Sequence, residues 1–117
     1  MAVKRIVPNI AATDVRDAIG FYQGVLALDL VMDHGWILTF AAGDGGGAQI
    51  SVASEGGSGA VVPDVSVEVD DLDEAHGRAL GAGFAVEYGP ITEPWGVRRF
   101  FVRDPFGRLI NILSHER

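Results

Sequence analysis

Apolar and polar residues alternate over much of this chain, and the alternation predicts short strands interrupted by two helices. Residues 4–11 place Ile6 and Ile10 on one face and Val7 and Asn9 on the other, which is the period of a strand. Helical spacing follows twice, each time after an aspartate that can cap a first turn. The strands are predicted at 4–11, 28–32, 36–42, 48–53, 64–70, 84–88, 97–103 and 108–114, and the helices at 15–26 and 72–80.

The same order of elements occurs twice along the chain. The helix entry at residues 14–18, Asp-Val-Arg-Asp-Ala, returns 57 residues later at 71–75 as Asp-Leu-Asp-Glu-Ala. We therefore predict an α+β fold of two tandem βαβββ modules, residues 1–54 and 61–117. A glycine-rich segment at 55–60 is predicted to be a flexible linker between them. If the two curved half-sheets face each other, they form a cup-shaped mixed sheet with the helices on its outer face.

The composition excludes several classes of function. The 117 residues suit one domain, with 48% apolar and 21% charged residues and no cysteine, so disulfides, thiolate catalysis and zinc–thiolate sites are excluded. A net charge of −7 argues against nucleic acid and is compatible with a cationic small molecule. No membrane span or signal peptide is evident, and we expect a cytoplasmic protein. Gly43–Gly47 is predicted to be a hairpin turn, since no phosphate-loop Lys comes after it.

The strand alternation also predicts which side chains face away from the helices. Each helix needs an apolar strand face, predicted to comprise Ile6, Ile10, Ile50, Val52, Val65, Val67, Val69, Ile110 and Ile112. The opposite face is then more polar and would line a ligand cavity. It comprises Val7, Asn9, Gln49, Ser51, Asp64, Ser66, Glu68, Leu109 and Asn111.

The motifs along the whole chain resemble the vicinal oxygen chelate superfamily. That superfamily includes glyoxalase I, extradiol dioxygenases, fosfomycin-modifying enzymes and bleomycin-binding resistance proteins. The matching pieces are Val7-Pro8, Asp14-Val15, Phe21-Tyr22, Val67, Asp71-Leu72, Gly83, Pro94-Trp95-Gly96, Phe100 and Asp104-Pro105-Phe106-Gly107. The resemblance implies a homodimer, which in the resistance proteins exchanges N-terminal strands near the counterpart of Pro8.

The resemblance also locates four symmetric strand positions where the enzymes hold a divalent metal with His, Glu or Gln. In this chain they are Val7, Ser51, Asp64 and Asn111. Valine cannot ligate a metal, and serine and asparagine are poor primary ligands. We therefore predict neither a catalytic metal nor another cofactor.

An aromatic run favours binding over catalysis. In the resistance proteins, a Pro-Trp-Gly turn, an aromatic strand and an Asp-Pro-x-Gly turn form part of the drug groove. Indole rings stack on planar heterocycles and attract cations. The leading hypothesis is a metal-free protein that sequesters a planar, cationic small molecule, such as a bleomycin-like antibiotic, and thereby confers resistance. The predicted stacking residues are Trp36, Trp95 and Phe100, and the predicted polar contacts are Asn9, Gln49, Ser51, Asp64, Glu68 and Asn111.

Two alternatives remain open. The first is an enzyme of the same superfamily, a lyase, isomerase or dioxygenase-like protein that uses Glu68 or Asp64 as a base, or an atypical metal site. The second is a partner-binding or regulatory module. Arg98 and Arg99 bring positive charge beside the proposed groove. One of the two arginines is expected to point into the groove, so an anionic or mixed-charge ligand is a further alternative.

Overall fold

The computed structural model describes residues 1–43 and 47–116. By its contacts the chain divides into two units. The first unit is Val7–Val62, and the second unit combines Met1–Ile6 with the chain from Pro63 onward. The first strand therefore contributes to both units. The tip of the predicted turn at Gly43–Gly47, residues 44–46, lies outside the described residues.

The first unit contains one helical segment and part of a mixed sheet. Its strands run in the order β2-β3-β4-β1, with β1 parallel to β4 and the other neighbours antiparallel. The elements are β1 (Val3–Ala11), a 3₁₀ turn (Val15–Ala18), α1 (Ile19–Tyr22), β2 (Asp29–Asp33), β3 (Ile37–Ala41) and β4 (Gln49–Ala53).

The second unit repeats this architecture. The start of β1 lies beside β5, and the order continues β5-β8-β7-β6, with β5 and β8 parallel. The elements are β5 (Val65–Val69), α2 (Leu72–Gly81), β6 (Val86–Thr92), β7 (Val97–Arg103) and β8 (Leu109–His115). The mixed sheet pairings and the two helices confirm the predicted α+β class.

The two helix entries share an aspartate cap but differ in the length of the helix after it. Asp14 accepts a hydrogen bond from the Arg16 amide (3.0 Å), and Asp71 accepts one from the Glu74 amide (3.0 Å). Each cap satisfies a backbone N–H at the start of its helix. The first helix is shorter than predicted, because a 3₁₀ turn takes up its beginning and α1 ends at Tyr22.

Each helix covers an apolar core on one face of its own sheet. The first core is Val15, Leu38, Phe40 and Val52, and the second is Val69, Leu72, Ala75, Phe100 and Val102. The prediction that Ile6 and Ile10 are buried is wrong, since they are 59% and 44% exposed. Ile10 is in register with Val52, but it is the 3₁₀ turn at Val15–Ala18 that packs over the sheet, on β3 and β4. On β1 it is Val7 that is buried.

The segment predicted to be a flexible linker is a hydrogen-bonded turn. The Gly56 amide donates to the Ala60 carbonyl (2.7 Å) and the Ala60 amide to the Gly57 carbonyl (2.9 Å). Glu55 closes the loop by accepting from the Gly59 amide (2.9 Å). Gly56 and Gly57 are buried, so the segment is packed into the structure. Across the described parts of the chain, no helix is long and apolar enough to cross a membrane.

Candidate functional site

Each unit carries a pair of neutral polar residues at corresponding positions of its two parallel strands. In the first unit Asn9 of β1 lies opposite Ser51 of β4. In the second unit Ser66 of β5 lies opposite Asn111 of β8. The neighbours of Ser51 and Asn111 along their strands pack towards the helices. These pairs therefore occupy the sheet face opposite each helix, called here the polar face of each unit.

In the second unit, Asn111 has an incomplete set of hydrogen bonds among the described residues. It is 7% exposed, and its Nδ2 donates to Ser66 Oγ at 3.0 Å. Its Oδ1 is buried and accepts no hydrogen bond from the described residues. A buried acceptor without a donor costs about 1–3 kcal/mol. The side chain is therefore prepared to accept a hydrogen bond from a molecule other than the chain.

Ser51, the corresponding residue of the first unit, is satisfied within the protein. It is 4% exposed, and its hydroxyl lies 2.7 Å from the hydroxyl of Thr39, which is in register with it on β3. The two predicted polar contacts thus differ. Ser51 is engaged by a neighbouring strand, whereas one end of the Asn111 amide has no protein partner in the described structure.

A buried arginine contacts Trp95, one of the aromatic residues predicted to attract a ligand cation. The Arg99 guanidinium carbon lies 5.2, 5.0 and 4.8 Å from the ring centroids of Tyr88, Trp95 and Phe101. Its Nε donates to Glu93 Oε2 at 2.8 Å, and the Tyr88 hydroxyl donates to the same oxygen at 2.8 Å. The Arg99 and Glu93 side chains are only 4% and 2% exposed. The protein supplies its own cation to these rings.

The assignment of Phe100 to the ligand surface is wrong. Phe100 is fully buried in the core beneath α2, where its ring lies 5.2 Å from that of His76. Because side chains alternate along β7, Phe101 and Arg99 take the other face. Arg98 remains on the α2 side and pairs with Asp73 at 2.6 Å.

The carboxylates proposed as bases are engaged by groups of the chain itself. Glu68 is 13% exposed and lies 3.2 Å from Arg5 Nε and 2.8 Å from His115 Nδ1. Asp64 is exposed and precedes β5, and its Oδ2 accepts a hydrogen bond from the Leu109 amide at 2.8 Å. Neither carboxylate is an unpaired group on the polar face.

The remaining predicted contacts lie in the first unit. Asn9, Trp36 and Gln49 are all half-buried. Trp36 comes directly after the turn between β2 and β3, and its ring is nearly parallel to that of His34, with centroids 6.3 Å apart and an interplanar angle of 18°. The Asp33 carboxylate next to His34 accepts from the Gly35 amide. That hydrogen bond, together with a weaker effect of one from Arg16, lowers the pKa of Asp33 below its ordinary value.

Sequence reasoning missed Tyr88 and Glu93, which complete the surroundings of Arg99. Both lie in or just after β6, whose glycine and proline obscure the alternation. In the doublets Arg98-Arg99 and Phe100-Phe101, the two neighbouring residues must point to opposite faces of the strand. The sequence did not indicate which member points to which face.

The four positions that correspond to metal ligands in the superfamily carry no clustered donors. Val7 is buried, Ser51 pairs with Thr39, Asp64 bonds to backbone and Asn111 bonds to Ser66. Among residues 1–43 and 47–116, no three histidine, aspartate or glutamate side chains come together in a group that could hold a metal ion. A metal-free protein remains a prediction.

Two βαβββ units, each with one parallel strand pair and polar residues at matching registers, define a chain of the vicinal oxygen chelate type. The model of the Glyoxalase/Bleomycin resistance protein/Dioxygenase superfamily matches residues 3–112. The chain therefore belongs to this superfamily, as the sequence motifs indicated. No protein of curated function matches it.

Solved structures with 14–16% sequence identity share the fold. A hypothetical protein from Bacillus halodurans has a TM-score of 0.77 and 16% identity, with 100% of this chain and 97% of that chain covered. A Legionella pneumophila protein named as an NAD-dependent benzaldehyde dehydrogenase has a TM-score of 0.75 and 14% identity, covering 95% and 99%. A superfamily member from Vibrio splendidus has a TM-score of 0.67 and 16% identity, covering 97% and 99%.

Proposed function

We propose that this chain is a metal-free protein that binds a planar small molecule on its polar faces, in the manner of an antibiotic-sequestering member of the superfamily. The observation that carries the proposal is the buried Asn111 Oδ1, which has no donor among the described residues. A ligand N–H or O–H supplies that donor. Ligand pockets are lined mainly by apolar groups with a few such oriented polar atoms.

The neutral polar pairs support binding rather than metal-assisted chemistry. Asn9 and Ser51 in the first unit correspond to Ser66 and Asn111 in the second. Amides and hydroxyls form directional hydrogen bonds with a neutral or charged ligand but bind divalent cations weakly without carboxylate or imidazole partners. Selective binding needs no more than these groups and a stacking surface.

Some of the groups that were predicted to attract a cationic ligand already contact cationic or basic side chains of the protein. Arg5 and His115 contact Glu68, and Arg99 faces the rings of Tyr88 and Trp95. A cationic ligand would have to compete with these side chains. We therefore assign recognition first to the planarity and the hydrogen-bond donors of the ligand, with Trp36, Trp95, Gln49 and Asp64 as secondary contacts.

Titration calorimetry tests the proposal directly. Planar aromatic antibiotics and cationic glycopeptides of the bleomycin type are titrated into the protein and into Asn111→Leu, which removes the amide at similar volume. In this variant the ligand donor is buried without an acceptor, which costs about 1–3 kcal/mol and weakens binding about 5- to 150-fold. Gln23→Leu, which removes an exposed amide after α1, is the matched control and leaves the affinity unchanged.

Two results would contradict the proposal. One is stoichiometric divalent metal that survives dialysis of the purified protein. The other is the absence of heat and of any change in tryptophan fluorescence across the whole ligand panel. Equal affinity of Asn111→Leu and the unmodified protein would remove Asn111 from the site.

An enzymatic function has one observation in its favour. His115 Nδ1 lies 2.8 Å from Glu68 Oε2, and a carboxylate that orients an imidazole is a common device for a general base. A lyase or isomerase acting through this pair would lose turnover in His115→Gln. The same variant would leave antibiotic affinity unchanged if binding is the function.

We also propose that the protein acts in the cytoplasm as a homodimer. The exposed Ile6 and Ile10 lie on the same face of β1 and support an interface on that face, since exposed apolar surface marks protein contacts. Sedimentation of the purified protein and of the double variant Ile6→Ser, Ile10→Ser tests this. A monomeric unmodified protein would refute the dimer.

A further inference from the structure

A cavity lies on the opposite side of the second unit from the polar face. It is formed between the buried side of α2 and the strands β7 and β8, and its volume is about 350 Å³. This volume is at the lower end of the ~300–1,000 Å³ range of small-molecule pockets. We call it the α2 pocket.

The pocket exists because α2 presents small side chains to the sheet. Ala75, Ala79 and Ala82 line one wall, where longer aliphatic residues would fill the space. Ile110 and Ile112 of β8 line the other. An exposed aromatic side chain, Phe84 (38% exposed), also lines the pocket. Such a lining favours an apolar ligand group.

Charged side chains are also part of this lining, and two of the three are arginines. Arg78 lies one turn before Ala82, and Arg103 ends β7. Each forms a surface ion pair, Arg78 with Glu74 and Arg103 with Glu87. Exposed pairs of this kind contribute about 0–1 kcal/mol each. A competing anion can therefore replace the carboxylate in either ion pair at little cost.

The third charged residue is an aspartate whose carboxylate is already occupied. Asp104 accepts hydrogen bonds from the Phe106 and Arg108 amides, both at 2.9 Å. Within the described residues, Arg78 Nη1 and Arg103 Nη2 have no hydrogen-bond partner. Two solvent-accessible cations at the edge of an apolar cavity match an anionic head attached to an apolar body.

We propose that the α2 pocket binds an amphipathic carboxylate, with its alkyl chain or ring against the alanines of α2 and its carboxylate paired with Arg78 or Arg103. The ligand class follows from the apolar walls and the arginine-bearing edge. The site is separate from the polar faces. Binding here and binding there are independently testable.

A homologous ligand series provides the first test. Straight-chain carboxylates of increasing length, kept below their micelle concentrations, are titrated calorimetrically alongside alcohols of equal length. Each buried methylene, worth about 0.8 kcal/mol, tightens the dissociation constant about fourfold until the pocket is full. The alcohols bind at least about tenfold more weakly, because they cannot form an ion pair with an arginine.

Variants then locate the site. Ala79→Leu fills the pocket and weakens carboxylate binding at least about tenfold. Gly77→Ala, on the same helix where an added Cβ meets nothing within 4 Å, is the control and leaves binding unchanged. The double variant Arg78→Gln, Arg103→Gln reduces carboxylates to the affinity of the alcohols. Amide chemical shifts of Gly83 and Phe84 in the unmodified protein report the same site without a substitution.

Several results would overturn the proposal. Carboxylates and alcohols of equal affinity would remove the role of the arginines. Unchanged binding in Ala79→Leu, with no shift of the Phe84 amide, would place the ligand elsewhere. If Ala79→Leu instead abolishes self-association in sedimentation, the pocket is a contact between two copies of the chain. Asn111→Leu leaves carboxylate binding intact, which separates this outcome from failure of the proposed function.

Discussion

The buried ion pair between Arg99 and Glu93 gives the sharpest prediction about this protein. Both side chains are almost inaccessible, at 4% and 2% exposure. Glu93→Gln keeps the shape of the side chain but removes its charge. The Arg99 guanidinium then stays buried against the aromatic rings without the carboxylate charge of Glu93, so the substitution removes a partner that offsets its desolvation.

The expected loss is large for a single isosteric change. Removing one partner of a buried pair typically costs about 3–5 kcal/mol. With a urea m-value of about 2 kcal/mol/M, the unfolding midpoint falls by roughly 1.5–2.5 M. The Tyr88 hydroxyl, 2.8 Å from Glu93 Oε2, also loses a charged acceptor. Arg99→Met should cost a similar amount, because it leaves the Glu93 carboxylate buried without its positive partner.

Urea unfolding followed by tryptophan fluorescence measures these effects, since Trp95 lies against Arg99. The double variant Glu93→Gln, Arg99→Met completes a thermodynamic cycle, and its loss should be smaller than the sum of the single losses. The matched control is the exposed pair Arg103–Glu87, with 47% and 45% exposure. Glu87→Gln should cost less than about 1 kcal/mol. If Glu93→Gln costs no more than Glu87→Gln, the argument from burial is refuted.

Three further predictions concern backbone strain and pH. Ala27 has φ of +55° after the first helix, so Ala27→Gly should stabilise the protein by about 0.5–1 kcal/mol, and a lower melting temperature would contradict this. A Cβ at Gly56 would lie 2.0 Å from the Val61 carbonyl oxygen. Gly56→Ala should therefore destabilise the protein by about 1–3 kcal/mol in the same thermal assay. An unchanged melting temperature would show that the turn adapts. The hydrogen bond from Arg98 lowers the pKa of Asp73. This contribution is present above the unfolded pKa of about 3.9 and is lost as pH falls through the lower folded value. Arg98→Gln should therefore lower the melting temperature at pH 7 more than at pH 2, and equal effects would argue against it.

The fold was predictable from local pattern because each element obeys a rule of short range. Alternation located the strands to within a few residues, and the repeated aspartates marked both helix entries, where each carboxylate caps a backbone amide. The length of the first helix was not predictable in this way. Its beginning adopts a 3₁₀ turn, although the apolar spacing continues to Leu26.

The candidate site was only partly predictable. The repeat identified Ser51 and Asn111 as corresponding positions on β4 and β8, and the structure gives both a buried place on their polar faces. Sequence alternation separated Phe100 from Phe101 but could not tell which of them faces α2. The side that becomes core depends on where the helix docks, which is a long-range property.

Taken alone, the sequence determined the superfamily, the α+β class, the repeated order of elements and the positions at which metal-ligating residues are replaced by neutral ones. These properties depend on residue identity and spacing, which are local. Only the tertiary structure decided that Arg99 packs against the ring of Trp95. It also decided that Arg5 and His115 contact Glu68, and that Asn111 Oδ1 lacks a donor among the described residues. Whether a polar atom has a partner depends on side chains brought together from distant parts of the chain, and spacing along a sequence does not contain that information.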